Sequence, residues 1–117
     1  MLNLKHKNLD VWKLSIDIIR DLYKMTDGFP KSEIFGITNQ IRRSAVSLPL
    51  NIAEGSSRKS SLERKRFYEI ARSSLVELDT QLEVSMALKY IDNNNMSIVD
   101  DKLNHLFAML TNLIKKT

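Results

Sequence analysis

Residues 60–91 read SSLERKRFYEIARSSLVELDTQLEVSMALKYI, and this stretch decides the fold. Ser60, followed three residues later by Glu63, has the pattern of a helix N-terminal capping box. The apolar residues after it recur every three or four positions, as they do along one face of an α-helix. They are Phe67, Ile70, Ala71, Leu75, Leu78, Leu82 and Met86. The spacing predicts a helix over residues 61–91, and a helix of about 30 residues is usual in a helical bundle.

A first helix is predicted on the N-terminal side, over residues 9–26. Gly28, in a left-handed backbone conformation, and Pro30 are expected to end it. Its broad apolar stripe consists of Trp12, Ile16, Ile19 and Tyr23, with Leu14, Ile18 and Leu22 beside them.

A second helix is predicted over residues 33–55. Ser32 is the expected N-cap, Glu33 favours the first turn, and Gly55 is expected to end the helix. Pro49 falls inside the apolar pattern, where it removes a backbone hydrogen bond. We therefore expect a kink near Pro49, or two shorter helices in place of one.

A fourth helix is predicted over residues 97–116. The run Asp92–Asn95 is expected to break the third helix, and Ser97 with Asp100 gives a second capping-box pattern. Four amphipathic helices with short connections predict an all-α fold, an antiparallel up-down-up-down four-helix bundle. Residues 1–117 are expected to form this single domain.

Composition excludes several classes of protein. The chain has no cysteine, so disulfides, thiolate metal sites and cysteine catalysis are excluded. His6 and His105 are the only histidines, and neither has a glutamate three residues before it, as a di-metal bundle site requires. We find no glycine-rich phosphate loop and no apolar run long enough for a membrane span. We expect a cytoplasmic protein that is not an enzyme, without catalytic residues, metal, cofactor or membrane contact.

The basic side chains are concentrated in the middle of the sequence. The 18 lysines and arginines exceed the 14 acidic residues, and most of the excess lies in the second helix and the segment after it. Such clusters suit the phosphates of RNA or DNA, although they also occur as solvated helix faces with intramolecular ion pairs. The candidate nucleic-acid-binding residues are Arg42, Arg43, Arg58, Lys59, Arg64, Lys65 and Arg66.

A polar stripe follows one side of the second helix. Its members are mostly short or amide side chains at helical spacing. They are Gln40, Arg43, Ser47, Asn51 and Glu54, continuing to Arg58. The stripe is either a hydrated seam between subunits, which could line a central opening, or an ordinary outer face.

Five stretches of the sequence coincide with one protein family. They are LDVWK at residues 9–13, FPKSE at 29–33, QIRRSAVSLP at 40–49, NIAEGSSR at 51–58 and ARSSLVEL at 71–78. In order and spacing they resemble the ribosomal-protein-like four-helix bundle proteins that are encoded within intervening sequences of bacterial 23S rRNA genes. The chain is also similar to the accessory protein of diversity-generating retroelements.

The resemblance implies a homo-oligomer, a ring of five bundles, and no catalytic activity. It leaves two hypotheses for function. The first is an oligomer that binds structured RNA, such as rRNA, or another nucleic acid through the basic clusters. The alternative is a scaffold or accessory subunit for another protein, such as a reverse transcriptase, without direct contact to nucleic acid.

Overall fold

The computed structural model describes all 117 residues and contains helices but no strand. Short 3₁₀ helices cover Lys5–Asn8 and Lys31–Glu33. No helix is both long and apolar enough to cross a membrane. The all-α class is confirmed, with four long helices: α1 (Asp10–Asp27), α2 (Ile37–Ser57), α3 (Ser61–Ala87) and α4 (Asn93–Lys116).

The four helices form a square in which each helix contacts two neighbours. Helix α1 contacts α2 and α4, and α3 contacts the same two helices, whereas no Cα pair across either diagonal lies within 8 Å. Contacts between α3 and α4 run antiparallel: Arg72 Nη1 donates to Thr111 Oγ1 at 3.2 Å, and Ser61 Oγ donates to the carbonyl oxygen of Thr117. The order of neighbours is the one expected for an up-down-up-down bundle.

The core is a single cluster along the axis of the bundle. All four helices contribute side chains with almost no exposed surface, among them Ile18, Leu22, Ile41, Leu48, Leu78, Leu82, Leu106 and Leu110. In α1 the buried line runs through Ile18 and Leu22 of the predicted stripe, whereas Tyr23 is exposed and the polar Ser15 and Thr26 are buried. Their hydroxyls donate to Trp12 and Leu22 carbonyl oxygens, which allows these polar residues to enter the core.

The predicted beginning of the second helix is wrong. Residues 31–33 form a 3₁₀ turn, and α2 begins only at Ile37, after Gly36. Ser32 is therefore no N-cap. The Glu33 carboxylate instead accepts a hydrogen bond from the Tyr90 hydroxyl at 2.8 Å, which ties the α1–α2 connection to the α3–α4 connection. Helix α2 runs unbroken through Pro49, so the alternative of two shorter helices is also wrong.

Helix α1 ends at Gly28 as predicted, but Gly28 is not in the predicted left-handed conformation, and Gly55 does not end α2. Gly28 follows α1 with a φ of −83°, a right-handed conformation. Gly55 lies inside α2, which continues to Ser57. A Cβ at Gly55 would lie 2.6 Å from Tyr68 Cε1, so the glycine permits close packing of α2 on α3 rather than a helix end.

The connection between α3 and α4 lies four residues earlier than predicted, over residues 88–92 instead of 92–96. Helix α3 ends at Ala87 because Lys89 adopts a φ of 63° and the amide of Tyr90 donates back to the Ser85 carbonyl oxygen, as in a Schellman motif. Asp92 caps α4 in a capping box with Asn95. The asparagine run therefore forms the first turn of α4, and the predicted start at Ser97 is wrong.

Candidate nucleic-acid interface

One end of the bundle collects basic side chains from three parts of the chain. Because α2 and α4 end where α3 begins, the segments 1–13, 54–69 and 105–117 lie together. Residues 4–6 line one groove with residues 53–57, and Ser61 bonds the carbonyl group of Thr117 at 2.6 Å. These segments, which we call the basic end, contain ten lysines and arginines and four acidic residues. The rest of the chain contains eight basic and ten acidic residues.

Several cations at the basic end have no acidic partner. Lys59, Arg66, Lys115 and Lys116 are exposed, Lys65 is half-buried, and none of these five forms an ion pair or a side-chain hydrogen bond. A cation without an intramolecular partner can contact a phosphate without first breaking a bond within the protein. Lys5 and Lys13 are likewise exposed and unpaired, so these seven side chains form the accessible part of the basic end.

Arg58 and Arg64 instead organise the connection between α2 and α3. Arg58 Nη2 lies 3.1 Å from Glu54 Oε2, and its guanidinium stacks 4.9 Å from the centre of the Phe67 ring. Arg64 Nη1 donates to the carbonyl oxygens of Lys59 at 2.6 Å and Arg58 at 3.2 Å. Arg64 thus fixes the backbone that carries Lys59.

The structure places Arg42 and Arg43 away from the basic end. They lie near the start of α2, about 22 Å along the helix from Arg58. Arg42 Nε donates to Thr26 Oγ1 at 2.9 Å and its Nη2 pairs with Asp27 Oδ1 at 3.0 Å, so this guanidinium ties α2 to the end of α1. Arg43 is exposed and has no partner. The seven predicted binding residues do not form one patch.

The predicted polar stripe lies on the outer part of α2. Gln40, Arg43 and Glu54 are exposed, and Ser47 and Asn51 are half-buried. Ser47 Oγ donates to the Ser44 carbonyl oxygen at 2.6 Å, and Asn51 Nδ2 donates to the Ser47 carbonyl oxygen at 2.8 Å. Each side chain therefore donates a hydrogen bond within its own helix. A role of the stripe in a subunit seam stays a prediction.

Sequence reasoning missed the lysines from the two ends of the chain. Lys5, Lys7, Lys115 and Lys116 are far from residues 58–66 in sequence, yet they share the same end of the bundle. The up-down topology was the available signal, since the fourth helix of such a bundle must end beside the connection between the second and third.

Fold and charge distribution define a class: a small all-α bundle protein whose basic side chains are concentrated at one end. A family model for the 23S rRNA-intervening sequence protein matches residues 7–112. The chain therefore belongs to the 23S rRNA-intervening sequence protein family. A comparison with curated proteins finds no significant match.

Proposed function

We propose that this protein is a non-enzymatic, cytoplasmic oligomer that binds structured RNA through the phosphates of the backbone. The observation that carries this proposal is the basic end, where ten lysines and arginines from three chain segments meet and nine of them lack acidic partners. Arginine and lysine side chains at such a density are the usual contacts to nucleic-acid phosphates.

The proposed binding mode is phosphate contact with little reading of bases. The free side chains at the basic end are long, flexible cations: Lys5, Lys13, Lys59, Lys65, Arg66, Lys115 and Lys116. Phe67 is an aromatic side chain of α3 at the basic end, but the Arg58 guanidinium covers its ring, so the ring is not free to stack on a base. Contacts of this kind position a protein on RNA but carry no sequence information, and they weaken as salt rises.

Oligomerisation would multiply the effect of the basic end. The ring of five, which the family resemblance implies, has cyclic symmetry, so all copies of one end lie on the same side of the ring. Five weak phosphate sites on one side give avidity for a long RNA without any stronger individual contact.

The test compares two sets of variants in RNA titrations by fluorescence anisotropy. Replacement of Lys59, Lys65 and Arg66 by alanine should reduce affinity for an RNA hairpin by at least about tenfold and flatten the dependence on salt between about 50 and 200 mM. The matched control, Lys24→Ala with Lys31→Ala, removes exposed cations at the opposite end and should change neither. Equal effects of both sets, or no binding by the wild type at low salt, would contradict the proposal.

A second candidate function is the scaffold or accessory subunit for another protein, such as a reverse transcriptase. The observation that favours it is an apolar groove that extends from the turn before α2 to the middle of that helix. Phe35 in this groove is 94% exposed, and Ile34 and Leu50 are more than half exposed. Stable one-to-one binding of a polymerase encoded beside the gene, together with no RNA binding by the purified protein, would support this second candidate over the first.

A further inference from the structure

A groove at the basic end carries a carboxylate in its wall. It lies between the N-terminal segment and the last turns of α2, and its volume is about 360 Å³. The residues that line it include Leu4, Lys5, His6, Ala53 and Glu54. We call it the Glu54 groove. Its volume falls within the range of about 300–1,000 Å³ that is typical of sites for small ligands.

Glu54 makes this groove a poor site for a phosphate and a good one for a neutral hydrogen-bond donor. Glu54 Oε2 lies 3.1 Å from Arg58 Nη2, and Oε1 has no hydrogen-bond partner. A carboxylate has about four acceptor sites, so Glu54 can accept further hydrogen bonds while it keeps the ion pair with Arg58. A phosphate in the groove would be repelled by this negative charge, whereas N–H groups would form charge-assisted hydrogen bonds to it.

The other side chains of the groove suit the flat faces of a nucleobase. Leu4 and Ala53 contribute apolar groups, and His6 contributes an imidazole ring. Histidine is one of the side chains on which unpaired RNA bases stack. Lys5 is exposed and has no acidic partner, so it supplies a cation for the phosphate of the same nucleotide.

Several contacts hold the two sides of the groove in place. The first 3₁₀ helix contacts both α1 and α2. The His6 ring packs edge to face against the Trp12 ring, with centroids 5.3 Å apart, and the amide of Leu9 donates to the His6 carbonyl oxygen at 3.0 Å. On the other side, Ser57 Oγ donates to the Glu54 carbonyl oxygen at 2.8 Å. A groove that is ordered before binding loses less entropy when a ligand enters it.

A carboxylate in such a groove favours guanine over the other bases. The Watson–Crick edge of guanine presents N1–H and N2–H side by side, and both can donate to one carboxylate. Adenine and cytosine present an amino group beside a ring nitrogen that is an acceptor, which a carboxylate repels. Uracil presents a single N–H between two carbonyl oxygens. Guanine is therefore the base whose donors match the two oxygens of Glu54.

We propose that the Glu54 groove binds one unpaired guanine of the RNA. The Glu54 carboxylate accepts hydrogen bonds from guanine N1–H and N2–H, His6 and the apolar side chains contact the faces of the base, and Lys5 contacts a neighbouring phosphate. The proposal rests on the RNA binding of the proposed function. It adds one base-specific contact to the phosphate contacts that the other cations of the basic end make.

The test uses RNA hairpins that share one stem and differ at a single position in a loop of uridines. In anisotropy titrations, the wild type should bind the hairpin with guanine at this position at least about fivefold more tightly than the one with adenine. Inosine, which lacks the N2 amino group, should lose most of this preference. Glu54→Gln should abolish the preference for guanine without weakening binding of the adenine hairpin, because it removes an acceptor and also a negative charge beside the phosphates.

Glu63→Gln is the matched control, because Glu63 is an exposed carboxylate at the same end of the bundle that does not line the groove. It should raise the affinity for both hairpins alike and keep the preference for guanine. A second variant, Ala53→Leu, narrows the groove without changing any charge or the ion pair of Glu54 with Arg58, and it should also remove the preference. Circular dichroism verifies that all three variants fold.

The outcomes that would overturn the inference have different meanings. If the wild type binds no hairpin at low salt, the RNA binding of the proposed function fails together with the guanine site. If the wild type binds all hairpins with equal affinity, the guanine site fails and the phosphate contacts stand. If Glu54→Gln keeps the same preference for guanine as Glu63→Gln does, the guanine is bound outside the Glu54 groove.

Discussion

At the scale of single residues, Gly55 shows how one missing methyl group sets the distance between two helices. A Cβ there would meet Tyr68 Cε1 at 2.6 Å and the Arg64 carbonyl oxygen at 3.2 Å. We expect Gly55→Ala to lower the free energy of unfolding by about 1–3 kcal/mol, because overpacking outweighs the better helix propensity of alanine. Urea denaturation measures the change.

Gly28→Ala is the matched control for Gly55. Gly28 has a right-handed conformation, and a Cβ there would meet only the Met25 carbonyl oxygen, at 3.5 Å. We expect this substitution to be neutral or to stabilise by about 0.4–1 kcal/mol, because it restricts the unfolded chain. Equal destabilisation by both substitutions would refute the packing argument.

Lys89 is the only residue other than glycine with a positive φ, 63°, at the left-handed position of the turn that ends α3. A side chain at this position costs about 1 kcal/mol relative to glycine. We therefore expect Lys89→Gly to raise the free energy of unfolding by about 0.5 kcal/mol, measured by urea denaturation. Leu88→Gly, one residue earlier in a right-handed conformation, should lower it; a loss at both positions would contradict the reasoning.

At the scale of elements, the apolar period was enough to predict four helices, while their ends depended on tertiary contacts. Ser60 accepts the amide of Glu63 as predicted, since that cap is local. The start of α4 was ambiguous because two capping patterns compete, Asp92 with Asn95 and Ser97 with Asp100. The earlier pattern adds Met96, which is buried, to the apolar stripe of α4.

Lys102 joins α4 to α1 through two carboxylates. Its Nζ lies 2.8 Å from Asp17 Oδ2 and 2.6 Å from Asp21 Oδ2. The hydrogen bond from Lys102 lowers the pKa of Asp17, while the bonds to Asp17 and Asp21 raise the pKa of Lys102. Because the pKa of Asp17 is lowered, its ionised carboxylate stabilises the fold at pH values above the ordinary pKa of aspartate. This contribution is lost as the pH falls through the lowered pKa.

We therefore expect Lys102→Met to lower the melting temperature at neutral pH. The difference from the wild type should shrink as the pH is lowered and Asp17 becomes protonated. The raised pKa of Lys102 predicts a second loss, as the pH rises past the ordinary lysine range. Thermal unfolding followed by circular dichroism across pH measures both. Lys13→Met, which removes an exposed lysine without partners, is the control, and a difference independent of pH would contradict the role of the ion pairs.

At the scale of the whole molecule, the basic side chains are concentrated at one end of the bundle. The sequence predicted a basic cluster around residues 58–66, but topology adds the lysines of both chain ends and separates Arg42 and Arg43 from it. Sequence alone could not assign Arg42 and Arg43 to a different end of the bundle from residues 58–66, because it does not show which other segments lie beside each end of α2. Some of the arginines bond to Glu54, to Asp27 or to backbone carbonyl oxygens. These contacts could not be predicted from the sequence either, because they depend on side-chain geometry.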